Sequence, residues 1–250
     1  MHEWITGRNP VYEVLRAGRR TTFRLMLAEG VQQKGRLSDI LAICQLKKIE
    51  IVQASRSRLD KLASGNQGVA LEASQYPYSG LVDIFDLAES RGEPLFVLLL
   101  DTLQDPQNLG TLLRSAEIVG VHGVVLPYRR AASVTPAVVN ASSGASEHLL
   151  IAQANLAQAI GTLKEKGAWV VGLESKPGAK DPGEVRLEGP LALVVGSEGE
   201  GMRPLVRSSC DWLLRLPMRG HVESLNAAVA GSVALYLAWQ ARSFAGAASR

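Results

Sequence analysis

The run PLFVLLLD, residues 94–101, is apolar from one end to the other until its closing aspartate. A strand with one wet face alternates polar and apolar side chains. An unbroken run of this length fits a strand covered on both faces, which is the habit of parallel sheets with helices packed above and below. Further along, GVVLP (123–127), AWVVGLE (168–174), LALVVG (191–196) and WLLRLPM (212–218) also read as strands. Between them TLLRSAEIVG, NLAQAIGTLKEKG and the short MRPLVRSSC read as helices. Strand alternating with helix predicts a parallel α/β domain over residues 93–250.

The first 74 residues have a different texture. GRNPVYEVLRAGRR (7–20) reads as a turn and a short amphipathic helix, FRLMLAEG as a strand and RLSDILAICQLKK as a helix. EIVQAS and GNQGVALEAS add two more strands, so residues 1–74 predict a small α/β domain of their own. QYPYSG follows, rich in turn formers, and residues 75–92 are expected to link the two domains. No internal repeat or low-complexity tract interrupts the pattern.

The formal charge of +3 is small, but it is unevenly spread. Residues 1–72 hold 12 Lys and Arg against 7 Asp and Glu, while the remainder holds 15 against 17. A basic first third suits a module that handles a polyanion, with Arg8, Arg16, Arg19, Arg20, Arg24, Lys47, Lys48, Arg56 and Arg58 as candidate phosphate contacts. A solvated face is the plainer alternative. The two cysteines, Cys44 and Cys210, are far apart and sit among apolar residues, which argues against a disulfide framework or a zinc site and fits a reducing cytosol. The N-terminus MHEWITGRNPVYEV lacks the basic-then-apolar pattern of a signal peptide, so a cytoplasmic protein is expected. His2, His122, His148 and His221 are scattered without metal-ligand spacing and read as structural or surface residues.

HVESLNAAVAGSVALYLAWQAR, residues 221–242, carries no charge between Glu223 and Arg242 and has the length of a membrane span. Its Ser224, Asn226, Gly231, Ser232 and Gln240 and its alanine-rich body favour a buried helix with a small-residue face instead.

In open parallel sheets ligands sit beyond the carboxyl ends of the strands. Three loops fall there: DPQNLGTLLRSA (105–116), GSEGEGM (196–202) and LPMRGHVESLN (216–226). The glycines at 196, 199 and 201 run G-x-x-G-x-G, the wrong order for a dinucleotide site, and no acidic residue ends a strand at the spacing a ribose contact needs. Neither a G-x-S-x-G elbow nor a Walker sequence occurs. Taken singly, each polar residue has a bland reading. Asn108 and Gly110 can form a turn before a helix starting near Thr111, Arg114 can be an exposed helix residue, and Glu198 can be solvated. Ser224 can cap the last helix with Asn226 in its first turn. Taken together, the three loops can converge on one site.

NLGTLLRSAEIVGVHGVVLP, LALVVGSEGEGM and LPMRGHVESLNAAVAGSVALY resemble, in order, the three signature motifs of the SpoU/TrmH-type RNA ribose 2′-O-methyltransferases. ITGRNPVYEVLRAG and NQGVALEA resemble the small substrate-binding domain of the branch that modifies ribosomal guanosine (RlmB-like), a domain akin to the ribosomal L-thirty-e protein. The resemblance implies a SPOUT-type α/β catalytic domain with a deep C-terminal trefoil knot, an S-adenosylmethionine cofactor, no metal, an RNA substrate and a homodimer. By motif, it implies catalytic roles for Asn108, Arg114, Glu198, Ser224 and Asn226. Gly196, Leu216, Met218 and Leu225 fall where knot loops line the cofactor. The implied activity is methylation of a ribose 2′-hydroxyl, in a guanosine of large-subunit (23S) rRNA. A tRNA ribose methyltransferase and a non-catalytic RNA-binding protein of the same fold are the alternatives. A ribose hydroxyl is a poor nucleophile unless its proton is drawn off or the developing alkoxide is stabilised, and arginine, always protonated, suits the second task. Two positions depart from the family pattern: Asn66 precedes Gln67-Gly68 where histidine is usual, and Ala227 stands where a larger residue is usual. A chain beginning near residue 75 is expected to keep cofactor binding and dimerisation while methylating RNA poorly.

Overall fold

A computed structural model describes residues 2–129, 131–175, 178–197, 199–222 and 224–247. The chain gathers into two compact units, one made of Met1–Pro77 with Ser133–His148, the other of Tyr78–Ala132 with Leu149–Arg250.

The first unit opens with β1 (His2–Thr6), α1 (Arg8–Ala17), β2 (Thr22–Ala28), α2 (Arg36–Leu46), β3 (Glu50–Ala54), α3 (Arg56–Asp60) and β4 (Val69–Ser74). Its sheet runs β1-β4-β2-β3, with β4 antiparallel to both neighbours and β2 parallel to β3. Strand β1, HEWIT, is not apparent in the sequence because only its last two residues are fully buried. Asn66, one of the two departures from the family pattern, is well used. Its amide donates to Asp60 Oδ1 at 2.7 Å and to the Ala63 carbonyl at 3.0 Å, and its Oδ1 accepts from the Gly68 N–H at 2.9 Å.

The second unit begins inside the stretch read as a linker, where LVDIFDLAESR forms α4 (Leu81–Arg91). Asp83 accepts from the Gly80 N–H at 2.7 Å, and the buried Ile84 and Ala88 recur at helical spacing. Then come β5 (Phe96–Leu100), α5 (Pro106–Ile118) and β6 (Gly123–Leu126).

After β6 the chain departs for the first unit, where α6 (Pro136–Ala141) and a short 3₁₀ turn, Ala145–His148, are built. Val138 and Val139 of α6 are fully buried there. The anchor is ionic. Arg20, with its side chain wholly buried, donates from Nε and Nη2 to the two oxygens of Glu147 at 2.9 and 2.8 Å. Its Nη1 reaches Glu3 Oε2 at 2.9 Å and the Ser74 carbonyl at 3.0 Å. Arg20 is therefore no phosphate contact. A tally of charges along the chain does not show which of them the fold buries.

The chain returns as β7 (Leu150–Gln153), α7 (Leu156–Glu165), β8 (Trp169–Leu173), β9 (Leu191–Val195), α8 (Pro204–Ser209), β10 (Trp212–Leu214) and α9 (Ala227–Ala241). All strands of the resulting sheet are parallel, in the order β10-β8-β9-β5-β6-β7. Central strands β5 and β9 are buried at every residue, as their unbroken apolar runs require. One face carries a core of Ile84, Leu99, Val125, Ile160, Leu163 and Val170 among others. The 221–242 stretch supplies α9, which packs on α5 through its small residues. A Cβ at Gly231 would lie 2.5 Å from Leu112 Cδ2 and 3.1 Å from Val195 Cγ2, and Ser232 and Ser115 share a hydrogen bond of 2.8 Å. Among the described residues no helix is long and apolar enough to cross a membrane.

Candidate active site

Parallel strands end together, so the loops that leave β5, β8, β9 and β10 share one edge of the sheet. At the ends of β8, β9 and β10 opens a cavity of about 690 Å³. Its lining includes Gly196, Leu216, Met218, Leu225 and Ser224, together with the charged residues Glu174, Asp181, Glu200 and Arg215. The loop after β9 is folded back on itself: the N–H groups of Ser197 and Gly201 donate to each other's carbonyls at 3.2 and 3.1 Å. Gly196 lies against that return. A Cβ there would stand 2.3 Å from Gly201 C and 2.5 Å from Met202 N, both main-chain atoms that cannot yield without moving the loop. Gly199 and Gly201, with φ of 80° and 72°, supply the left-handed turns that close it.

Two carboxylates hold the rim, and neither was singled out in the sequence. Asp101, fully buried directly after β5, accepts from Arg203 Nε at 2.7 Å and from the Arg203 N–H at 2.8 Å. The pair fixes where the chain goes after Gly201-Met202. Glu174, which lines the cavity after β8, accepts from Arg207 Nε at 3.0 Å and from the Ser175 N–H at 3.0 Å. A signal existed for both: each is the first acidic residue at the end of an apolar strand, where a charge is costly unless paired. At the outer rim Arg215 donates to Asp181 Oδ1 at 2.9 Å, and this hydrogen bond holds the Asp181 carboxyl below the usual carboxylate range.

Asn108 and Asn226 meet. The Asn226 amide donates to Asn108 Oδ1 at 3.0 Å. Helix α5 starts earlier than the sequence suggests, because Asp105 accepts from the Gln107 and Asn108 N–H groups at 3.2 and 3.1 Å and Pro106 follows as the first helical residue. Asn108 is thus in the first turn of α5, not in a turn preceding it. Helix α9 is capped by Asn226, whose Oδ1 accepts from the Ala228 and Val229 N–H groups at 2.9 and 3.2 Å, and not by Ser224. One side chain ends one helix and grips another. Arg114 stands exposed on α5 and is not part of the cavity wall. Glu198 lies outside the described residues.

The remaining reactive groups have structural surroundings. His122 is buried, its Nδ1 accepting from the Phe96 N–H at 3.0 Å and its Nε2 bonded to Glu93 at 2.9 Å. Burial pushes the thiols of Cys44 and Cys210 up to about 11 and about 12, so both stay protonated and inert. Among the described residues no group of three or more His, Cys, Asp or Glu could hold a metal ion.

The sequence profile described as the SpoU rRNA Methylase family matches residues 95–236, more than half of the chain. The chain belongs to the SpoU rRNA methylase family. A second profile, described as RNA 2′-O ribose methyltransferase substrate binding, matches residues 4–79. YacO of Bacillus subtilis, named for the TrmH family of tRNA/rRNA methyltransferases, is 40% identical over 243 residues, covering 96% of each chain. A Staphylococcus saprophyticus relative with the same family name is 38% identical over 244 residues, covering 97% of each. Among solved structures, an RNA 2′-O ribose methyltransferase superposes with a TM-score of 0.76 at 25% identity, over 96% of this chain and 89% of that one. AviRb of Streptomyces viridochromogenes, a SpoU methyltransferase solved with AdoMet, gives 0.81 over 98% and 92%, and at 21% identity this likeness is one of fold. The SpoU-family profile runs straight across residues 133–148, which the structure assigns to the first unit.

Proposed function

We propose that this SpoU-family chain transfers a methyl group from S-adenosylmethionine to a ribose 2′-hydroxyl of RNA, and that its target is a guanosine of large-subunit ribosomal RNA. The observation that carries the reading is the cavity at the carboxyl ends of β8, β9 and β10, lined by a loop whose return only glycine at position 196 permits. The residues present suit the cofactor. Leu216, Met218 and Leu225 offer apolar contact for a flat heterocycle, and the Gly196 main chain allows close approach, so these four residues would hold it. When bound, the cofactor supplies a methyl group on a positively charged sulfur.

The chain's own residues do the rest. Arg114 stabilises the negative charge that develops on the ribose oxygen, a role open to a group that never deprotonates. Asn226 and Asn108 hold the starts of α9 and α5 together at the edge of the site. Ser224, in the cavity wall, positions the nucleotide, and the family motif gives Glu198 an orienting role. The exposed apolar residues Val229, Val233 and Tyr236 of α9 are the face for a second copy in a homodimer, and the C-terminal segment forms the knot of this fold.

Mapping 2′-O-methyl groups in ribosomal and transfer RNA from cells with and without the gene tests the reading. Loss of one methylated guanosine in large-subunit rRNA is the expected result. A loss confined to tRNA would overturn the target, and no loss anywhere would overturn the activity.

A further inference from the structure

We propose that the loop after β6, with Tyr128 and Arg129, is a stacking platform for an unpaired RNA nucleotide beside the one that is modified. The inference rests on the RNA reading above. Strand β6 ends at Leu126, and both Leu126 and the following Pro127 are buried. The next side chain, Tyr128, is 70% exposed, the largest exposure of any aromatic residue among the described ones. A single exposed apolar group needs no explanation by itself. This one differs in three respects.

The first is its root. The Ala132 N–H donates to the Leu103 carbonyl at 2.8 Å, and Leu103 is buried at 3% exposure. The ring therefore projects from a loop held at both ends. The second is its place. Leu103 belongs to the stretch after β5 that leads to Asp105, the residue that caps α5 and so fixes Asn108. Tyr128 stands at the same carboxyl edge of the sheet as the cavity, beside the first signature loop. The third is its company. Arg129 follows, exposed, and Ala131 and Ala132 are small and half-buried, so among the described residues of this loop the ring is followed by a cation and by no second large apolar side chain.

That combination suits nucleic acid better than protein. A docking patch for another protein needs apolar neighbours around its aromatic anchor. An unpaired nucleotide needs one flat ring for its base and one cation for its phosphate, and every base offers a face to stack. A stacked tyrosine ring reads no particular base. It holds the strand open next to the ribose that reacts, which is the state a 2′-hydroxyl must reach to enter a cavity.

The test measures methyl transfer into RNA isolated from cells lacking the gene, using wild type, Tyr128→Ala, Tyr128→Phe, Tyr128→Trp and Arg129→Ala. The same RNA, labelled in the cell with 4-thiouridine, is cross-linked to wild-type protein by light. Tyr128→Ala is expected to raise the KM for RNA about tenfold or more while leaving kcat and cofactor affinity in place. The Phe and Trp variants should keep wild-type KM, and Arg129→Ala should weaken RNA binding and flatten its salt dependence. Cross-links should fall on the peptide that holds Tyr128. A Tyr128→Ala enzyme with wild-type KM, or cross-links that miss this peptide, would overturn the platform. If wild-type protein transfers no methyl group, the activity reading fails, while cross-links at Tyr128 still support a platform for RNA.

Discussion

At Gly196 a side chain has nowhere to go, since the nearest atoms to an added Cβ are main-chain atoms at 2.3–2.6 Å. Gly196→Ala is expected to push the 197–201 return out of place and abolish S-adenosylmethionine binding. Calorimetry reads the loss and circular dichroism confirms the retained fold; near-normal binding would show that the cofactor lies elsewhere. Arg114 makes the opposite case, an exposed residue whose removal should leave the fold alone. Arg114→Ala should lower kcat by about 10²–10³-fold, in the range of a lost oxyanion donor, with cofactor affinity unchanged. A variant that turns over normally would reduce Arg114 to a surface position. His122 gives a pH prediction. Burial lowers its pKa, so the folded state favours the neutral ring that accepts from Phe96. The unfolded chain, with an ordinary value near ~6.5, takes up the proton first. Stability from this group is present above about pH 6.5 and is lost as pH falls below it toward the lower folded value. The fall in melting temperature between neutral and mildly acid pH should be steeper for wild type than for His122→Asn.

Helix α9 rests on a cap and on a groove for small residues. Asn226→Ala removes both the cap and the hold on Asn108, and should cost about 1 kcal/mol in chemical unfolding as well as activity. Asn226→Asp keeps the cap acceptors and loses only the amide donor, so it should retain stability and still lose activity. If both variants are equally active, the Asn226–Asn108 bond has no part in the site. At this scale the sequence can be weighed against the fold. Strands β5 and β9 were legible because burial on both faces forces an unbroken apolar run, and α7 because its apolar residues recur at helical spacing and Gly167 follows. The start of α5 was misplaced by a few residues, although Asp105-Pro106 is a good start signal, because the NLG that follows also reads as a turn. Helix α6 and strand β7 lie in a stretch that mixes Ser, Ala, Pro and Val without a clear period. Their fold depends on partners far away in sequence, which local pattern does not report. The cavity wall was largely legible, since glycines and the residues after parallel strands are tied to that edge by topology. The clamps Asp101–Arg203 and Glu174–Arg207 were not, because each joins positions that only the folded sheet brings together.

For the whole molecule, the decisive feature is the excursion of residues 133–148 into the first unit. Removing residues 1–74 would take away the surface that buries Val138 and Val139 and would leave Glu147 without Arg20. The expectation that a chain starting near residue 75 keeps cofactor binding and dimerisation is therefore put to a sharper test. Such a fragment should be less stable than the full chain and prone to associate, while a fragment that also lacks 133–148, bridged by a short flexible linker, should be better behaved. Size-exclusion chromatography and thermal unfolding of the two fragments distinguish them, and equal behaviour would mean that the excursion is held only weakly. In the full chain Arg20→Met should cost about 3–5 kcal/mol, the usual effect of stranding a buried carboxylate. The same feature bears on how the protein is born. Synthesis delivers the N-terminal residues first, yet their unit lacks its last wall until His148 has emerged from the ribosome, by which time β5, α5 and β6 are already outside. The two units cannot mature one after the other. They must be completed in an interleaved order, with the half-made catalytic sheet waiting on a loop that has to find its place in the neighbouring unit.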